Sequence, residues 1–128
     1  MKEVADERLR VYVVWDPIFG GNFDRAAKEL SRGFRDNRVS YFKDPDSLAG
    51  LLWKQVLNLN TEIAWDIYFL YGADAQWEKQ PPKPDFSMHQ LFGVTSGPPF
   101  DAEKFAEELR AMLAKLSPKD ARKEKEKP

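Results

Sequence analysis

The chain has 128 residues, a length suited to one domain with one hydrophobic core. Hydrophobic residues make up 42% and aromatics 13%, which excludes disorder over most of the length. Lys and Arg number 20 against 21 Asp and Glu, so no global field gathers a phosphate backbone or an anionic membrane, and nucleic-acid and membrane binding are not expected.

The chain holds no Cys, which excludes disulfides and thiolate nucleophiles, and a single His, which excludes a His-pair metal site. Residues 1–8, M-K-E-V-A-D-E-R, lack the apolar stretch of a secretion signal, and no apolar run approaches a membrane span; a cytoplasmic location is the expectation. These residues read as an N-terminal extension, 9–116 as the domain, and 117–128 as a charged, solvated tail with 5 basic and 3 acidic residues.

Leu9 to Trp15, L-R-V-Y-V-V-W, is short, β-branched and aromatic, as in a strand buried on both faces. Asp16, Pro17, Gly20 and Gly21 end it. Asn22 can then cap a helix in which Phe23, Ala26, Ala27, Leu30 and Phe34 recur at helical spacing. Arg38 to Phe42 alternates as a second strand, and strand, helix, strand implies parallel pairing. Asp44 before Pro45 predicts the start of a second helix with Leu48, Leu51, Leu52, Val56 and Leu59 on one face.

Ala64 to Tyr71, A-W-D-I-Y-F-L-Y, predicts a third strand. Residues 72–87 carry Pro81, Pro82 and Pro84 and read as a long loop, followed by a hairpin-paired fourth strand over Met88 to Gly93. Gln80 to Pro84, Q-P-P-K-P, reads as a spacer or as a polyproline II ligand. Asp101 caps a last helix. In it Ala102, Phe105, Ala106, Leu109, Met112, Leu113 and Leu116 form one stripe, and Phe100 and Phe105 are placed for a hydrophobic staple.

The order of elements resembles the thioredoxin fold over Leu9 to Leu116. Three phrases resemble a bacterial group of thioredoxin-like proteins with no assigned activity: Val11 to Ile18 (V-x-V-V-W-x-P-I), Asp36 to Phe42 (D-x-R-V-x-x-F) and Ile63 to Trp77 (I-A-W-D-x-x-x-L-Y-x-x-x-A-x-W). The resemblance implies a four-stranded mixed sheet, βαβαββα, with helices on both faces. It also implies that Asp16 and Phe19 stand where thioredoxins carry their two cysteines. Thiol–disulfide exchange needs a thiolate that no other side chain replaces, so redox catalysis is excluded, and Ala64 stands where thioredoxins carry a cis-proline.

If the first and third strands are neighbours, as the resemblance implies, Trp15, Asp16, Pro17, Phe19, Ala64, Trp65 and Asp66 border one cleft, with Trp77 on the long loop as a further contact. That cleft suits a peptide, protein or small ligand, and Trp is favoured at such contacts. Asp16 and Asp66 together are candidates for a hard-cation site or an acid–base pair; the structural alternative has Asp16 fixing a helix start and Asp66 accepting hydrogen bonds. His89 is expected half-exposed and, were it opposite Leu70, roughly 13 Å along the strand from Asp66, too far for a triad. Gly20 and Gly21 shape a turn rather than a phosphate cradle. The expectation is a redox-inactive binding domain without cofactor, with a metal-dependent enzyme using Asp16 and Asp66, or an oligomerisation module, as alternatives.

Overall fold

The computed structural model describes residues 4–17 and 23–116. Phe19, the Gly20–Gly21 turn, the Asn22 cap and the 117–128 tail lie outside them. The elements run β1 (Val11–Trp15), α1 (Phe23–Gly33), β2 (Val39–Lys43), α2 (Leu48–Leu57), β3 (Ile67–Leu70), β4 (Phe86–His89) and α3 (Ala102–Lys115). They fall into two units, one of residues 9–65 and one of residues 1–8 with 66–128.

In the unit of residues 9–65, β1 and β2 pair in parallel, from Val11 opposite Val39 to Trp15 opposite Lys43. The turn into β2 is set by Asp36, whose carboxylate accepts from the Arg38 backbone N–H at 2.9 Å and from its guanidinium at 2.6 and 2.9 Å. Arg38 is 9% exposed. Its hydrogen bonds hold the Asp36 carboxyl down at about 2. The Val11 N–H donates to the Arg38 carbonyl, so the same turn starts the ladder. Helix α1 is tied to one sheet face, where the Trp15 indole donates to Ser31 Oγ (3.1 Å) and the Tyr41 hydroxyl to the Phe34 carbonyl (2.7 Å).

Helix α2 begins three residues later than the Asp44–Pro45 signal suggests, yet Asp44 still caps it, accepting from the N–H groups of Leu48 (3.0 Å) and Ala49 (2.6 Å). The chain reaches that geometry by placing Ser47 in the left-handed region at φ 54°. Asn58, at φ 51°, ends the helix in the same region. Beyond it the chain folds back, and the Ala64 N–H donates to the Gly50 carbonyl at 3.1 Å. A Cβ on Gly50 would lie 2.6 Å from the Ala64 carbonyl oxygen, so only glycine allows this approach.

In the other unit, β3 and β4 pair antiparallel, with Ile67 opposite His89 and Leu70 opposite Phe86. Tyr68, Leu70, Phe86 and Met88 share the face that meets α3, where the Phe105 ring lies 6.1 Å from Tyr68 and 6.2 Å from Phe86. Met88 is 1% exposed and centres this core. Helix α3 starts as its sequence predicts: Asp101 accepts from the Lys104 N–H at 2.9 Å, and Phe100 and Phe105 meet with centroids 6.0 Å apart. Arg8 closes its other end by donating to the carbonyls of Leu113 and Leu116.

The Gln80–Pro84 stretch docks on this unit: Pro81 is buried and the Pro82 carbonyl accepts the Tyr71 hydroxyl at 2.9 Å. Burial, assisted by the Asp85 charge, pushes the Tyr71 hydroxyl up to about 12. A free polyproline II ligand is not what these prolines form.

The order of elements is the expected one, but the four-stranded, thioredoxin-like sheet with helices on both faces is not formed. The described strands make two separate two-stranded ladders, β1 with β2 and β3 with β4. The reason lies at the start of β3. Asp66 sits at φ 50°, which breaks the extended run expected from Ala64, and the Ala64 N–H is spent on Gly50 rather than on a neighbouring strand. β3 is therefore four residues long and pairs with β4 alone among the described strands.

Candidate functional site

The residues expected to border one cleft are divided. Trp15, Asp16, Pro17, Ala64 and Trp65 belong to the unit of residues 9–65, whereas Asp66 and Trp77 belong to the other. Asp16 Oδ1 accepts the Ser47 hydroxyl at 2.6 Å, and its Oδ2 lies 3.4 Å from where a Gly50 Cβ would stand. The end of β1 is thereby fastened to the first turn of α2, and Asp16 and Ala64 both flank Gly50. Trp15 is committed to Ser31, while Pro17 and Trp65 are half-buried.

Asp66 Oδ1 accepts the Tyr68 hydroxyl at 2.8 Å, and that hydroxyl in turn accepts from the Gln90 side chain at 3.3 Å. Tyr68 stacks on Phe100 at 4.0 Å; burial first, then the Asp66 carboxylate, raises its hydroxyl above the usual tyrosine range. Each carboxylate of the expected pair thus has a hydroxyl partner within its own unit. Among the described residues no group of three His, Cys, Asp or Glu side chains is placed to hold a metal ion.

His89 is buried, at 7% exposure, not half-exposed. It stands opposite Ile67 rather than Leu70, so separation along the strand does not argue against a triad; its partners do. The Leu91 N–H donates to Nδ1 at 3.1 Å, which leaves the proton on Nε2 to donate to the Ser96 carbonyl at 3.0 Å. Both ring nitrogens are used in holding the loop that follows β4.

The sequence did not signal the open face of the β1–β2 ladder. Leu9 to Trp15 reads as buried on both faces, yet Tyr12 is 67%, Val14 49% and Phe42 51% exposed. Val14 stands opposite Phe42, and the Tyr12 and Phe42 rings meet with centroids 6.2 Å apart at 37°. The signal available was the alternation in Val39 to Phe42, applied to β1 as well. An open depression of about 290 Å³ beside Val4, Asp6, Arg8 and Arg110 belongs to the other unit, and Arg8 there is bonded to Asp6 and to the end of α3.

No protein-family model, no curated protein and no solved structure matches the chain. Among the described residues no helix is long and apolar enough to cross a membrane.

Proposed function

We propose that the chain is a non-catalytic binding domain that receives a protein segment on the open face of the β1–β2 ladder. One observation carries the reading: Tyr12, Val14 and Phe42 form a contiguous apolar face on a parallel pair of strands. Parallel strands are ordinarily covered on both faces, and this face has no described cover. The tail at 117–128, K/E-rich and without large apolar side chains, is unsuited to cover it. The occupant proposed is an extended or helical segment of another protein that presents apolar side chains to the two rings.

This surface is preferred over the tryptophan-led cleft because Trp15 and Asp16 are already engaged by Ser31 and Ser47. The test is a displayed peptide library selected on the full chain. Selected peptides should bind the double variant Tyr12→Ser, Phe42→Ser at least tenfold more weakly, with far-UV circular dichroism unchanged. Equal binding by the variant, or its unfolding, which would make the face part of the core, contradicts the proposal.

A further inference from the structure

The segment between β4 and α3, Gln90 to Phe100, reads Q-L-F-G-V-T-S-G-P-P-F and contains no Lys, Arg, Asp or Glu. In a chain that is 32% charged, a stretch of this length would carry about three or four charges, and most of these residues are solvent-exposed. Exposed yet charge-depleted sequence is the composition of the centre of a protein interface.

Its conformation is fixed from His89. Nδ1 takes the Leu91 N–H and Nε2–H goes to the Ser96 carbonyl, while the His89 backbone N–H donates to the Pro98 carbonyl at 3.3 Å. The Phe100 N–H returns to the His89 carbonyl at 2.9 Å. Gly97, at φ 91°, lies against the imidazole, and Gly93, at φ 75°, makes the turn at the tip; neither conformation suits a residue with a Cβ. Leu91 is buried as the inner anchor, and its neighbour Phe92 is fully exposed. A soluble loop gains nothing in stability from an aromatic ring held entirely in water.

We infer that this clamped loop presents Phe92 as the anchor of a second contact, inserting into an uncharged apolar pocket of a partner protein. Clamping at both ends removes most of the ordering entropy that a mobile loop loses on binding, which is what makes a single ring an effective anchor. A lipid surface fits less well, because loops that dip into a bilayer combine apolar tips with cations, and none lies between Gln90 and Phe100. The loop belongs to the other unit from the β1–β2 face, so this inference stands or falls independently of the proposed function.

The test places the photoreactive residue p-benzoylphenylalanine at position 92 of the full chain in its native cells, with exposed Ala111 on α3 as the control position. The expected result is one discrete heterologous adduct at 92 and not at 111. The purified partner should then bind Phe92→Ala about thirty-fold more weakly, and Ala111→Ser within threefold of the unsubstituted chain. Phe92 has no packing to lose, so its variant keeps the fold. No adduct, the same adducts at both positions, a product of twice the chain's mass, or undiminished binding by Phe92→Ala overturns the inference. So does flotation with anionic phospholipid vesicles that is lost in Phe92→Ala.

Discussion

The Ser47 hydroxyl donates to Asp16 Oδ1 at 2.6 Å, which joins the end of β1 to the first turn of α2 across 31 positions of sequence. The carboxylate, read from the sequence either as a ligand group or as the stabiliser of a helix start, here holds a strained serine, since Ser47 sits at φ 54°. Asp16→Ala should destabilise the unit of residues 9–65 by about 1.5–3 kcal/mol, the range for a hydrogen bond to a charged group. Urea unfolding followed by circular dichroism measures this. A change within a few tenths of a kcal/mol would show that the bond does not hold the turn.

Gly50 reverses a common expectation. Gly to Ala inside a helix ordinarily stabilises by about 1 kcal/mol. Here the added methyl would meet the Ala64 carbonyl oxygen at 2.6 Å and Ile63 Cγ1 at 3.0 Å, and the first of these is backbone. Gly50→Ala should therefore destabilise by about 1–3 kcal/mol through forced separation of α2 from residues 63–64. An increase in stability would contradict the close approach.

Asp36 gives the acid limb of stability. Its folded value, about 2, lies below the unfolded value of 3.8, so the stabilisation is complete above that value and is lost as the pH falls toward 2. Protonation also weakens the ion pair with the buried Arg38 guanidinium. Thermal melts from pH 5 to pH 2 should fall for the unsubstituted chain, with a shallower fall for Asp36→Asn, which starts from a lower stability. Parallel curves would contradict the assignment.

Tyr71 gives the alkaline limb, with the opposite sign. A hydroxyl raised to about 12 from 10 stabilises fully below pH 10, and that contribution disappears as the pH rises through 12. Spectrophotometric titration should show a tyrosine that ionises late, absent in Tyr71→Phe. Because the same hydroxyl donates to the Pro82 carbonyl, proteolysis within residues 72–84 should accelerate in Tyr71→Phe. Identical titration curves for both chains would remove this reading.

The elements were legible in the sequence where a local signal dictates local geometry. Asp101 with Phe100 and Phe105 marks the start of α3, Asp44 caps α2, and the strand, helix, strand order of residues 11–43 produces parallel pairing. What was not legible depended on a single backbone angle and on pairing between distant segments. Nothing in A-W-D-I-Y-F-L-Y reveals that Asp66 adopts φ 50° and shortens β3, and with that the expected four-stranded sheet is lost. The candidate site depends on the same pairing. A cleft shared by Asp16 and Asp66 needs a strand neighbourhood that the described strands do not form, and the β-branched and aromatic residues of β1 suit a pleated strand whether its face is covered or, as at Tyr12 and Val14, exposed.

Backbone and side-chain chemical-shift mapping on the full chain, titrated with a library-selected peptide, most directly tests whether the β1–β2 face receives a partner. The account predicts saturable shifts centred on Tyr12, Val14, Ser40 and Phe42, with the Tyr12 and Phe42 ring protons moving most. Shifts confined to other residues, with those four unmoved at saturation, would contradict it.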